Sequence, residues 1–114
     1  MRERERERDM SIGYKKELLS FKDSVDALLE EAGKLLLTKQ NDYGPLNISR
    51  APGGPLNGLR VRIFDKVSRI NNLIDSGASP EHESLRDSFI DLANYAIIAL
   101  MVIDGDWPSL ESNG

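Results

Sequence analysis

The sequence predicts an all-α fold, a helical bundle with three main helices and one long loop rich in glycine and proline. Apolar residues recur at helical spacing in three separate stretches, and no stretch alternates as a strand would. Glycine and proline concentrate between the first two stretches. At 114 residues the chain is long enough for one core and too short for two. We therefore expect a charged arm at 1–10, a single bundle domain at 11–107 and a flexible tail at 108–114.

The composition argues against several classes of function. The chain contains no cysteine, which excludes disulfides, thiolate catalysis and cysteine-bound zinc. Its net charge of −4 argues against general binding to nucleic acid, so no nucleic-acid partner is expected. No apolar run is long enough for a membrane span, and Met1 precedes RERERERD rather than an apolar signal. We expect a cytoplasmic protein without a membrane partner.

The first two elements of the chain are the charged arm and a long helix. The run RERERERD alternates in charge and lacks an apolar anchor, so it predicts a frayed helix or a disordered arm. From Ser11 to about Lys39 the spacing predicts an amphipathic helix. Its apolar residues are Leu18, Phe21, Val25, Leu28, Leu29, Ala32, Leu35 and Leu36.

A long loop and a second helix follow. Glycines and prolines between Asn41 and Gly58 predict irregular structure for most of this stretch, and a loop of that length is usually functional or mobile. The second helix is predicted from Leu56 or Gly58 to Asp75, and Gly77 ends it. Its apolar stripe consists of Leu59, Ile63, Val67, Ile70, Leu73 and Ile74.

The third helix is predicted to run to about Ile103. Ser79 suits its N-cap and Pro80 its first position. His82, the only histidine, is expected at the surface near this start. Beyond the helix, Trp107 can cover the end of the bundle.

An acidic stripe on the third helix is the main candidate for chemistry. On a helical wheel Asp87, Asp91 and Asn94 lie within about 80° of Glu83. Four apolar residues lie on the opposite face: Leu85, Phe89, Leu92 and Ala96. After Asn94, however, the helix is apolar nearly all round, with Ile98 and Met101 on the same side as the stripe, so we expect a central helix whose acidic stripe faces the interior or a cleft. Like charges one turn apart need compensation, and Mg²⁺ or Mn²⁺ is the simplest compensator. In the alternative, the acidic half is exposed and merely favoured by the helix dipole.

Cations occupy the corresponding place on the second helix. Lys66 lies inside the apolar stripe, with Arg62 and Arg69 beside it. They can pair with the acidic stripe or hold phosphates, or they can extend along the edge of a helix interface as long cationic side chains often do. Asp65 lies further from the apolar centre, so its assignment as a metal ligand is weaker.

The segment KQNDYGPLN, residues 39–47, is the third candidate region. Turn chemistry accounts for Asn41, Asp42 and Gly44. Lys39 and Asp42 can reach a phosphate and a metal respectively, and Tyr43 can stack on a base or cover the end of the bundle.

Three motifs together resemble a known family. They are KQNDYG at 39–44, GLRVRIFDKVSRINNL at 58–73 and ESLRDSFIDLANYAIIAL at 83–100. The set is similar to nucleotide modification associated domain 1, a phage and bacterial family considered related to the MazG-like all-α nucleoside triphosphate pyrophosphohydrolases. The resemblance spans residues 30–104. It implies a MazG-like helical bundle completed as a homodimer or homotetramer, which binds Mg²⁺ (or Mn²⁺) and cleaves a nucleotide into a monophosphate and pyrophosphate.

The resemblance also implies roles for individual residues. Asp87 and Asp91 correspond to acidic residues of the last MazG-like motif, and Glu83 adds a ligand one turn earlier. Lys66 and Arg69 would face phosphates. Asn94 and Tyr95 would lie near the sugar or base, while Asp42 and Tyr43 would close the pocket. The predicted catalytic residues are therefore Glu83, Asp87 and Asp91, and the predicted metal ligands are the same three with Asp65. The predicted substrate-binding residues are Lys39, Asp42, Tyr43, Arg62, Lys66, Arg69, Asn94 and Tyr95.

The chain departs from the MazG-like pattern at two points. Where that pattern has E-x-x-E, this chain reads IFDKVSRI, with Asp65 as its one acid, and Ser88 stands three residues before Asp91. Three functions therefore stay open: a pyrophosphohydrolase of nucleotide metabolism, a nucleotide-binding or sequestering module, and a structural helical adaptor. The adaptor predicts no nucleotide affinity and no dependence of stability on metal.

Overall fold

The computed structural model describes residues 10–79 and 81–108, with side chains from Ser20 onward. Every regular element in these residues is a helix: α1 Met10–Tyr43, α2 Leu46–Ser49, α3 Pro55–Asp75 and α4 Glu83–Asp104. The predicted all-α class is confirmed. The predictions for the RERERERD arm, for Pro80 itself and for residues 109–114 lie outside the described residues.

The chain forms two compact units, Met1–Glu31 and Ala32–Gly114. The described part of the first unit is the N-terminal stretch of α1. There Lys22 Nζ and Asp26 Oδ2 form an ion pair at 2.7 Å, one helical turn apart. The helix predicted from the spacing of apolar residues in this stretch is confirmed. The side chains of Phe21, Leu28 and Leu29 on it are exposed.

The predicted end of α1 at Lys39 is wrong, because the helix continues through Tyr43. Gly44 ends it with a left-handed backbone conformation, φ +72°, which glycine adopts without strain. The Gly44 N–H donates to the Gln40 carbonyl oxygen at 2.8 Å. Asn41 and Asp42 therefore lie within the helix, so their interpretation as turn residues is also wrong.

The predicted long loop is shorter than expected. Pro45 is followed by the single-turn helix α2, in which the Ser49 N–H donates to the Pro45 carbonyl oxygen at 3.0 Å. Helix α3 begins at Pro55, where proline needs no N–H partner in the first turn. Gly54 precedes it at φ +96° and makes the sharp entry. The end of α3 at Asp75 is confirmed.

The predicted start of α4 is wrong by several residues. The helix begins at Glu83, and the N-cap is His82, whose ring Nδ1 accepts from the Ser84 N–H at 3.2 Å. Ser79 instead belongs to the preceding turn, where its carbonyl oxygen accepts from the His82 N–H at 2.9 Å. His82 is exposed, as predicted. The helix ends at Asp104, and Gly105 follows at φ +82°.

The core of the second unit lies where α2, α3 and α4 meet. Ile48, Leu59 and Ile98 are its buried centre. Partly buried hydrophobic residues surround them: Leu36, Tyr95, Ala99, Val102 and Trp107. Residues from every described helix and from the chain after α4 thus contribute to one cluster.

The buried face of α4 differs from the predicted one. Leu85, Ser88, Asn94 and Ile98 are buried, whereas Phe89 is 50% exposed. The buried face of α4 lies closer to Asp91 than the predicted face does, because α4 packs on α3 through the side that carries Asp91. The prediction that the whole acidic stripe faces inward is wrong for two of its members, because Glu83 and Asp87 are exposed.

None of the helices in the described residues combines the length and the apolar character that a membrane crossing requires.

Candidate functional site

A pocket of about 280 Å³ lies in the second unit between the C-terminal end of α1, helix α2, the first half of α3 and the middle of α4. Its polar lining comes from four kinds of side chain. They are the cations Lys39, Arg62 and Lys66, the carboxylate Asp91, the amides Gln40, Asn47 and Asn94, and the aromatic residues Tyr43, Tyr95 and Trp107. Such a mixture of apolar walls with a few converging polar groups is typical of small-molecule sites.

Asp91 lies at the centre of the pocket's charges. Its Oδ1 accepts from Lys39 Nζ at 3.0 Å, and its Oδ2 pairs with Lys66 Nζ at 3.1 Å. The Asp91 side chain is only 16% exposed, whereas Lys39 retains 45% exposure. One carboxylate therefore holds two ammonium groups, one from α1 and one from α3, at the edge of the same pocket.

The ion pairs favour the charged forms of both partners. Partial burial opposes ionisation of Asp91, but hydrogen bonds from Lys39 and Lys66 hold the pKa of its carboxyl below the ordinary value. The hydrogen bond to Asp91 likewise raises the pKa of Lys39 and outweighs the opposing effect of burial. Lys39 therefore remains cationic at neutral pH, and Asp91 remains anionic.

The pocket is positive although the whole chain carries a net charge of −4. Three cations against one carboxylate leave a formal charge of +2 in the lining. Each ammonium group has three N–H donors, so a lysine that binds Asp91 can still donate to a second anion. Asp91 thus positions the lysines without exhausting them.

Asn94 is a buried polar residue in the wall of the pocket. Its Nδ2 donates to the Ala32 carbonyl oxygen at 3.0 Å, and its side chain is 5% exposed. This bond fixes the orientation of the amide, because a carbonyl oxygen can only accept. The Oδ1 atom is buried without a hydrogen-bond partner in the structure. A buried orphan acceptor in a pocket wall is costly, and a ligand donor is one way to satisfy it.

The structure brings together more than half of the substrate-binding residues that the sequence predicted. Lys39, Tyr43, Arg62, Lys66, Asn94 and Tyr95 all line the pocket, together with the predicted catalytic Asp91. Asp42 and Arg69 are exposed and do not belong to this lining. Lys66 therefore lies in the pocket lining, and Arg69 does not.

The predicted metal ligands are not assembled in the same way. Glu83 and Asp87 are exposed near the start of α4, and the exposed Asp65 lines a neighbouring pocket beside Asn57 and Val61. Among the residues that the structure describes, no three histidine, aspartate or glutamate side chains form a group that could hold a metal ion. Both oxygens of Asp91 already accept from lysines. These donors do not fit a Mg²⁺ ion held by this chain alone.

Three polar or aromatic pocket residues were missed by the sequence reasoning. Gln40 was hidden because α1 was predicted to end at Lys39, and Asn47 because its segment was expected to be loop. Trp107 was assigned only a covering role. A single tryptophan in an otherwise polar tail is the sequence feature that could have indicated a role for Trp107 in the pocket.

The comparisons with known proteins agree with part of the motif pattern. Residues 54–103 match the family model described as nucleotide modification associated domain 1. No curated protein and no solved structure matches the chain. The matched segment contains Arg62, Lys66, Asp91, Asn94 and Tyr95 of the pocket, whereas Lys39 and Trp107 lie outside it. The resemblance to nucleotide modification associated domain 1 is therefore confirmed for residues 54–103.

Proposed function

We propose that this protein binds a nucleotide in the pocket around Asp91. The observation that carries the proposal is the convergence of three cations, one partly buried carboxylate and three aromatic rings on one cavity of about 280 Å³. A nucleotide combines the two features that such a lining complements, an anionic phosphate group and a planar base.

The phosphate would be bound by the protein's own cations. Lys39 and Lys66 are held next to each other by Asp91, with Nζ–oxygen distances of 3.0 and 3.1 Å. Arg62 lines the same cavity one helical turn from Lys66. Because Asp91 already compensates part of the repulsion among these cations, the site is organised for an anion before it arrives.

The nucleoside would lie toward the other wall. Tyr95 and Asn94 are adjacent on α4, and the unpartnered Asn94 Oδ1 favours a group with a hydroxyl or N–H donor. Inorganic phosphate has no aromatic surface to contact Tyr95, and it has few hydrogen-bond donors for the Asn94 Oδ1 acceptor. These features favour a nucleotide over an inorganic anion.

The test is calorimetric titration of the protein with a panel of ribo- and deoxyribonucleoside triphosphates. Lys66→Gln should weaken binding about tenfold or more, since a charge-assisted hydrogen bond to phosphate is lost. Lys22→Gln is the matched control, because Lys22 is a paired but exposed lysine of the first unit. Equal affinities of the two variants would contradict phosphate binding in this pocket.

Pyrophosphohydrolysis is the second candidate function. It is favoured by the position of Asp91, the last acid of the resembling motif, inside the cationic pocket. Cations that bind a triphosphate can also stabilise charge that develops on it during cleavage. Magnesium-dependent release of pyrophosphate that disappears in Asp91→Asn would support this activity and the MazG relationship. Binding without release would leave a sequestering module.

The structural adaptor remains the non-binding alternative. In that case the Lys39–Asp91–Lys66 contacts would serve only to join α1, α3 and α4. It predicts no nucleotide affinity at all, so the same titration separates it from the proposal.

Self-association of the chain is also proposed. Helix α4 carries exposed Phe89, Leu100 and Ile103 on one side, with exposed fractions of 50, 59 and 63%. Large apolar side chains along one helix face favour burial against another surface. A homodimer or homotetramer would provide it.

A further inference from the structure

The chain after α4 turns back and closes one wall of the pocket. Gly105 adopts φ +82°, and the N–H groups of Asp106 and Trp107 donate to the Met101 carbonyl oxygen at 2.8 and 3.2 Å. These bonds reverse the chain direction immediately behind the helix. The segment lies beyond residues 54–103, the part that matches the family model.

Two hydrogen bonds hold this segment against the chain around α2. Ser49 Oγ donates to the Pro108 carbonyl oxygen at 2.6 Å, and Trp107 Nε1 donates to the Pro45 carbonyl oxygen at 3.4 Å. Trp107 is partly buried against the cluster of Ile48, Leu59 and Ile98, and it also lines the pocket. The hydrogen bond to Pro45 and the packing against the buried cluster thus fix the position of the indole ring.

The chemistry that Trp107 offers to a ligand is limited. Its only polar atom, Nε1, already donates to Pro45. What remains for the pocket is the planar, apolar ring surface, which suits stacking against another aromatic ring and provides nothing for a phosphate.

We propose that Trp107 contacts the base of the bound nucleotide by stacking, so that the C-terminal segment supplies the base-recognition wall of the pocket. This inference rests on the proposed nucleotide-binding function and adds that the ligand must carry an aromatic ring. The phosphate-binding cations and the stacking wall then act as two separable parts of one site.

The experiment compares two probes on the full chain by calorimetry: a nucleoside triphosphate, which carries a base, and inorganic tripolyphosphate, which does not. Trp107→Leu should weaken the nucleoside triphosphate about tenfold or more and leave tripolyphosphate unchanged. Trp107→Phe, which keeps a ring, should retain most of the affinity. In the wild type, the fluorescence of this single tryptophan should change with the nucleotide and not with tripolyphosphate.

Other outcomes overturn the inference in distinguishable ways. Unchanged nucleotide affinity in Trp107→Leu removes Trp107 from the site while leaving nucleotide binding intact. Equal weakening of both probes shows that Trp107 only supports the fold, and Ser49→Ala, which removes the other anchor of the segment, should then reproduce it. Failure of both probes to bind the wild type overturns the nucleotide-binding function and this inference with it.

Discussion

Asp91 unites the structural and the proposed functional roles of the pocket. Its two oxygens each bind a different lysine, and the side chain is mostly buried. Glu83 and Asp87, which share its stripe in the sequence, are exposed. A helical wheel gives relative directions only, so it could not show which end of the stripe is covered. That depends on where α3 ends and how α4 crosses it.

Asp91→Asn should destabilise the protein in a pH-dependent manner. The lysines hold the pKa of Asp91 below its ordinary value of 3.8, so the ion pairs contribute stability above that pH and lose it as the pH falls through the native pKa. At pH 7 we expect a loss of about 1–2 kcal/mol, reduced by the exposure of Lys39 to solvent. Urea unfolding at pH 7, 5 and 3 measures it.

The difference between wild type and Asp91→Asn should shrink as the pH falls below 3.8 toward the lowered native pKa, because protons then compete with the lysines for the Asp91 carboxylate. Asp23→Asn, on the first unit, is a control that should show little change at any pH. A difference that stays constant from pH 7 to pH 3 would contradict the ion-pair interpretation of Asp91.

Asn94→Asp should also destabilise the protein, although the two side chains have nearly the same shape. The Asn94 Nδ2 group, which donates to the Ala32 carbonyl oxygen, would be replaced by a carboxylate oxygen that faces this carbonyl oxygen. The side chain at this position is only 5% exposed, so water cannot readily compensate the repulsion. We expect a loss of about 2 kcal/mol in unfolding free energy at neutral pH. Asn72→Asp on the exposed side of α3 is the matched control, and an equal effect of the two would argue against the Ala32 bond.

At the scale of elements, the long helices were predictable and their ends were not. The apolar period identified α1, α3 and α4 because it extends over several turns. The end of α1 depended on a single glycine, Gly44, rather than on the polar residues before it. The start of α4 depended on the ring of His82, a capping group that the usual preference for serine does not indicate.

Two glycine substitutions should have opposite effects on stability. Gly33 lies inside α1 with open space around an added Cβ, so Gly33→Ala should stabilise by about 0.5–1 kcal/mol. Gly105 ends α4 at φ +82°, so Gly105→Ala should destabilise by about 1 kcal/mol. Thermal unfolding of both variants tests this. A stabilising Gly105→Ala would show that the turn behind α4 is not formed as described.

For the whole molecule, sequence and structure agree on class and differ on how the site is built. The helical motifs placed Lys66, Asn94 and Asp91 on the correct elements. The contribution of Trp107 depends on contacts with Pro45, which is 62 residues away in the chain. Periodicity carries no information about such contacts, because they arise only after the helices have packed.

Self-association is predicted from the exposed apolar face of α4. We expect light scattering after size exclusion to give the mass of a dimer or tetramer rather than the 12.7 kDa of one chain. Leu100→Glu, in the exposed apolar face of α4, should shift the distribution toward monomer by placing a charge in the contact. Glu83→Gln, on the exposed acidic end, should not. A wild-type protein that is monomeric at high concentration would contradict the proposal.

The most direct test of the central claim is whether a nucleoside triphosphate binds in the absence of divalent metal. Because Lys39, Arg62 and Lys66 supply the positive charge and the carboxylates do not fit a metal held by one chain, binding should persist in buffer containing a chelator. Affinity should fall as salt is raised, and it should fall in Lys66→Gln. Binding that requires Mg²⁺, or that is absent with and without it, would contradict a phosphate site built from these cations.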